Sequence, residues 1–183
     1  MTDRKGIAPK DIKEFLGKSW LTHDGMWFFN VYQEYGIDVA NKLNRAAIKS
    51  MAPFEVNRCR KLSGIGKDKL ETFAEVKDFM DGAFQAILPE SILSASSFTA
   101  PTRNVIQWAW EDGKCFAYEG MKRLGIEDRY VCGVIYRIEC WLDCLQVPYT
   151  VNPKIDLCIM AQTGSCKGDF VFDFEDEGEK DIG

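Results

Sequence analysis

Val105-Ile106-Gln107-Trp108-Ala109-Trp110-Glu111-Asp112-Gly113 is the stretch on which the fold turns. Ile106, Trp108 and Trp110 recur at every second position, so they share one face of a strand while Gln107 and Ala109 share the other. Glu111-Asp112-Gly113 then closes the run with a turn. Everything N-terminal to this stretch reads with the period of a helix. Pro9 suits the first turn of a short helix running to about Ser19. Trp20, Asp24, Trp27, Val31 and Tyr35 recur at helical spacing up to Gly36. Ile37, Ala40, Leu43, Ala47 and Met51 continue the pattern until Pro53, which is expected to kink or break it. Gly64 and Gly66 mark a loop, and Leu70, Phe73, Val76, Phe79 and Met80 predict another amphipathic helix.

Around the decisive stretch the period changes. Residues 92–100 form a β-like run ending at Pro101. After the turn, Phe116–Leu124 predicts a short helix closed by Gly125, and Arg129–Leu145 a longer one stopped before Pro148. Three short strands are expected at 148–151, 155–161 and 170–174. In the last, Phe170, Phe172 and Phe174 alternate with Val171 and Asp173, giving one buried face. The fold class is therefore α+β, with N-terminal helices followed by a mainly antiparallel sheet packed against helices. The boundaries expected are a helical subdomain over 1–90, an α+β ligand-binding-like domain over 91–175, and an acidic tail over 176–183.

At 183 residues, 46% of them hydrophobic, the chain can bury a sizeable core. A net charge of −5 lacks the basic footprint that nonspecific nucleic-acid binding needs, so no nucleic-acid partner is expected. No apolar run is long enough for a membrane-spanning helix, so no membrane partner is expected. Met1–Lys10 is charged and lacks the apolar stretch of a signal peptide. The expected location is the cytoplasm, where reducing conditions disfavour structural disulfides.

Five of the seven cysteines fall between Cys132 and Cys166. Cys132, Tyr136, Cys140 and Cys144 recur every four residues along the predicted long helix. With a rise of about 1.5 Å per residue, Cys132 and Cys140 stand roughly 12 Å apart along its axis. Zinc–sulfur bonds of about 2.3 Å cannot bridge that distance. Two mutually exclusive metal sets follow: Cys132 with Cys158 and Cys166, or Cys140 and Cys144 with Cys158 and Cys166. The second pair is expected on a strand and across the turn Gln162-Thr163-Gly164-Ser165. Buried free thiols are the competing reading.

The run from Cys132 through Cys158-Ile159-Met160-Ala161-Gln162-Thr163-Gly164-Ser165-Cys166-Lys167-Gly168-Asp169-Phe170-Val171-Phe172 resembles the end of vinyl-4-reductase-type ligand-binding domains. That resemblance implies a zinc site of three cysteines, matched by Cys132, Cys158 and Cys166, plus a glutamate. The glutamate position holds Ile155, and Asp156 beside it would point to the other sheet face. The same ending is similar to the L-2-aminothiazoline-4-carboxylate hydrolase-like family. Trp20-Leu21-Thr22-His23-Asp24-Gly25-Met26-Trp27-Phe28 resembles the W-L-x-x-D-G-x-W-F motif of an uncharacterised bacterial and archaeal family of cytosolic proteins. These resemblances imply a mixed α/β fold, a pocket between helices and sheet, and a homodimer.

Trp27, Trp108, Trp110, Tyr136 and Trp141 are the candidate ligand-contacting aromatics, with Arg103, Arg137 and Glu139 as polar anchors. Cys115, placed at a helix N-terminus where the dipole favours a thiolate, is the candidate nucleophile. His23, the only histidine, would have to serve any Cys–His dyad but sits where turn and capping roles are commoner. Gly64-Ile65-Gly66-Lys67 lacks the spacing of a phosphate loop. Three functions follow: a small-molecule-binding protein with an aromatic pocket between sheet and helix; a hydrolase of a small cyclic amide or amidine using a Cys thiolate or metal-bound water; or a structural homodimer.

Overall fold

The structure is a computed structural model and describes residues 6–174. Two long helices lead. α1 spans Pro9–Tyr35 with its proline in the first turn, and α2 spans Ile37–Ser63. Gly36, at φ 82°, is the single residue between them. The two segments expected on either side of Ser19 are one continuous α1. Pro53 lies within α2, which runs through it unbroken. Ala52, Glu55, Val56 and Cys59 are buried around it, and that packing offsets the hydrogen bond proline removes.

α3, Phe73–Ile87, opens with a capping box: Glu75 N–H donates to Thr72 Oγ1 at 3.2 Å and Thr72 N–H to Glu75 Oε2 at 3.3 Å. Leu70, expected inside this helix, precedes it, fully buried, and its N–H donates to the Leu145 carbonyl at 3.2 Å. α4, Glu90–Leu93, takes the first residues of the run expected as a strand, leaving β1 as Ser96–Thr99. β2 is Val105–Trp110, α5 Phe116–Leu124, α6 Gly133–Cys144, β3 Tyr149–Asn152, α7 Ile159–Thr163 and β4 Cys166–Phe172.

The four strands form one antiparallel sheet in the order β1-β2-β4-β3. Across β2 and β4 the partners are Trp110 with Cys166, Trp108 with Gly168, and Ile106 with Phe170. All six are buried, so this face of the sheet is the core face. On the other face Gln107 Nε2 donates to Asp169 Oδ1 at 3.0 Å. Gly168 has no alternative. A Cβ there would stand 2.4 Å from the Trp108 ring, which lies across it. The acidic tail expected beyond residue 175 lies outside the described residues.

One expected strand is absent. Residues 155–161 do not pair as a strand; Leu157 makes only an isolated bridge to Val131, and the chain then coils into α7. β4 already has β2 and β3 on its two edges. Ile159 and Met160 open α7, and Met160 is buried in the core. Cys158 is therefore the residue that caps α7 rather than a strand residue. Phe170 and Phe172 lie in β4, which begins four residues earlier than expected, at Cys166.

The N-terminal helices are fastened to the rest by a buried ion pair. Glu55 of α2 is 7% exposed. It accepts hydrogen bonds from Arg137 of α6 through Nε at 2.9 Å and through an Nη, and from Trp141 Nε1 at 2.9 Å. Trp20 of α1 covers the Arg137 guanidinium at 4.3 Å. Arg137→Ala, which leaves the Glu55 carboxylate buried without its cation, is expected to lower the unfolding free energy by about 3 kcal/mol in urea titration. The double replacement Glu55→Leu/Arg137→Met is expected to cost less than that single change. Equal losses would show that the pair is not the fastening.

Candidate functional site

The N-terminus of α6 is fixed from three directions. Asn41 of α2 donates through Nδ2 to the Arg129 carbonyl at 2.9 Å and accepts from the Val131 N–H at 3.1 Å. The Tyr130 hydroxyl accepts from the Gly133 N–H at 3.1 Å, and its ring meets Phe28 of α1 edge-on at 5.7 Å. The Tyr130 carbonyl accepts from the Cys158 N–H at 3.1 Å. Residues 130–132 and 157–158 thus run side by side, and Cys132 and Cys158 leave that bridge as the residues preceding α6 and α7.

Cys115 arrives from a third direction. The turn Glu111–Lys114 ends β2, with Lys114 N–H donating to the Glu111 carbonyl at 2.9 Å, and Cys115 precedes α5. Cys166 arrives from a fourth, as the first residue of β4. The four cysteines line one enclosed cavity with Trp110, Tyr118, Tyr130, Val134 and Ile155, among other apolar residues. It leaves roughly 10 Å³ open to a water-sized sphere. Among the described residues, no lysine, arginine, histidine or carboxylate lines it.

The electrostatics follow from that enclosure. Burial pushes the Cys115 and Cys132 thiols up to about 12 and the Cys166 thiol to about 11. The Cys158 thiol is also raised, by burial first. Each would-be thiolate raises its neighbours: Cys132 and Cys166 act on Cys115, Cys166 and Cys158 on Cys132, and Cys158 on Cys166. Backbone N–H groups work the other way. Those of Ala117 and Tyr118 favour ionised Cys115, those of Val134 and Ile135 ionised Cys132, and those of Met160 and Ala161 ionised Cys158. None of them closes a full capping hydrogen bond. Among the described residues, no group of three or more His, Cys, Asp or Glu side chains stands ready to hold a metal ion.

The residues singled out from the sequence are distributed as follows. Cys132, Cys158 and Cys166 share the cavity, and Cys115 joins them. Ile155 lines it too. Cys140 and Cys144 form a separate pair. Their neighbours are Tyr136, Glu139 and Asp143, and the alternative metal set with Cys158 and Cys166 is not assembled. Of the five aromatics, Trp110 alone lines the cavity. Trp108 is fully buried against Phe170 at 5.0 Å, and Trp141 is engaged with Glu55. Tyr136 stacks under the Arg45 guanidinium at 3.7 Å, and Trp27 lies 43% exposed on α1. Arg137 is committed to Glu55. His23 is exposed and 3.7 Å from Asp24. A shallow depression on α1 is lined by Asp11, Glu14, Phe15, Lys18, Ser19 and Thr22, all from that one helix.

Sequence reasoning separated Cys115 from the other three. The signal that unites them is position: Cys115, Cys132 and Cys158 each immediately precede a helix. Residues 9–92 match the model of a family of unknown function (DUF6125). The match takes in Trp20–Phe28 and Glu55. It ends before all four cavity cysteines, and the run Cys132–Phe172 lies outside it. No curated protein and no solved structure matches the chain.

Enclosure predicts an order of thiol reactivity. With a disulfide reagent at pH 8, half-buried Cys144 is expected to react well before Cys115 in the native protein, and all seven thiols to react quickly once the chain is unfolded. Peptide mapping of the first-labelled site checks this. Cys115 labelled first would mean the cavity is open.

Proposed function

We propose that the protein is a binding module whose site is the thiol-lined cavity between β2, β4 and the N-terminal ends of α5, α6 and α7. The observation that carries this reading is the convergence of four cysteines, from four separate elements, on one closed space. A pocket for a drug-sized aromatic ligand occupies several hundred Å³. This cavity admits one small species, so the small-molecule reading narrows to an occupant of a few atoms. Seven unpaired cysteines suit a reducing compartment, which supports a cytoplasmic location.

Hydrolysis by a Cys115 thiolate has less support. Its thiol holds its proton far above neutral pH, and the lining offers no base to take it. The binding reading predicts a mass excess over the 20.8 kDa chain when protein purified without chelator is weighed under native conditions. The excess should vanish on denaturation. A native mass equal to that of the bare chain would sink the reading.

A separate observation favours a homodimer. Ile12, Phe15, Leu16, Met26 and Trp27 of α1 are all exposed, Phe15 by 70%. They fall on the face opposite Phe28, the buried residue of that helix. An apolar row of this kind on a long helix is what self-association covers. Antiparallel pairing of two α1 helices would set Phe15 and Leu16 of one copy against Trp27 and Met26 of the other, an isologous contact. Light scattering on a sizing column is expected to give a dimer for the native chain and a monomer for Leu16→Glu/Met26→Glu. A monomeric native chain would refute the pairing.

A further inference from the structure

We infer that the solvent face of α2 is a docking surface for an acidic amphipathic helix of a partner protein. The surface uses neither the apolar row of α1 nor the residues that line the thiol cavity.

The pattern comes first. Val39, Leu43, Ala46, Ser50 and Phe54 follow one another at steps of three or four residues, so they form one stripe along the helix. Asn57 and Lys61 continue it, and every one of these residues is exposed. The buried residues of α2, Asn41, Ala52, Glu55 and Cys59 among them, lie on the opposite side. From Val39 to Lys61 the stripe runs about 33 Å. Phe54 is 64% exposed, in line with an exposed leucine and an exposed valine. A row of apolar side chains left in water on a long helix is surface that a partner covers.

Charge comes second. Lys42, Lys49, Arg58 and Lys61 are all exposed. With about 3.6 residues per turn, Lys42 and Lys49 stand along one side of the stripe, Arg58 along the other, and Lys61 at its end. Among the described residues none of the four is held in an ion pair. The helix has two acids: Glu55 is committed to Arg137, and Asp38 precedes the stripe. From Val39 onward the face is therefore cationic without interruption, on a chain whose net charge is −5. Carboxylates on both flanks of a partner would complement it.

Shape selects a helix over other acidic partners. Ala46 and Ser50 are small and lie between Leu43 and Phe54 on the stripe. They leave a seat for bulky apolar side chains, which a helix projects and a planar anionic lipid surface does not. An amphipathic helix laid along α2 would set its apolar stripe in that seat and its flanking acids against the cations, as flanking charges do in paired helices.

The test uses the full chain and a synthetic helix of about 22 residues, long enough to span the stripe. The peptide carries leucine along one stripe and glutamate on both flanks. Fluorescence anisotropy should show binding that weakens as salt rises. Lys42→Glu/Lys49→Glu should weaken it about ten-fold, and Phe54→Ala by a similar factor. These positions are exposed, so both variants should keep the native circular dichroism. A peptide with the same composition but scattered leucines, and one with lysine in place of glutamate, should each bind at least about ten-fold more weakly. Leu16→Glu/Met26→Glu, which leaves α2 intact, should bind the peptide like the native chain; loss of binding there would move the surface to α1 and overturn the inference. Equal binding of the scattered peptide, or full affinity in Phe54→Ala, would reduce the face to unspecific charge attraction and overturn the helix. Tighter binding to phosphatidylserine vesicles than to the peptide would overturn it in favour of a lipid surface. A native chain that ignores the peptide would overturn it outright.

Discussion

The buried Glu55 carboxylate is the constraint on which the architecture depends. A charge placed inside a helical layer must be neutralised there, because the interior cannot solvate it. Arg137 and Trp141 do so from a single helix, α6, and Trp20 closes the arrangement from α1. α6 is thereby held at one rotation and one height against α2. Asn41, nearly four turns earlier on the same face of α2, meets the chain just before α6 and holds residues 129 and 131. The placement of Cys132 follows from these contacts, although none of them touches the cavity.

The cavity shows how helix ends can assemble a polar centre inside an apolar shell. A residue preceding a helix faces free backbone N–H groups, and an oxygen-bearing side chain there would turn back and satisfy them locally. Cysteine does so weakly, because sulfur is a soft and poor acceptor. Its thiol remains available to face across the gap. Three such positions, together with the first residue of β4, turn local end effects into a shared field.

Much of the fold was legible in the sequence. The alternation in 105–110 and the phenylalanines of β4 marked a one-faced sheet, and the helical spacings before it marked α1 to α3. The segment 155–161 was misread because an apolar run this short fits a strand and a helical segment about equally well. Sheet order settles the choice, and sheet order is not local. The same limit governed the site. Spacing offered Cys132, Cys158 and Cys166 as one of two sets, whereas Cys115 reaches the cavity they line only because the β2–β4 pairing folds the end of β2 against the start of β4. The aromatics misled in another way. A tryptophan reads alike whether it lines a pocket, packs on glycine as Trp108 does, or donates to a carboxylate as Trp141 does.

The pairing of Trp110 with Cys166 has a further consequence. Side chains alternate across a sheet, so sliding β4 by one residue would send Cys166 to the solvent face and bring Lys167 inward. Gly168 blocks that slide, since only glycine accommodates the Trp108 ring above it. The glycine two positions from the thiol therefore serves as a gauge. It sets the distance along the strand at which a sulfur atom is delivered, without approaching that atom itself.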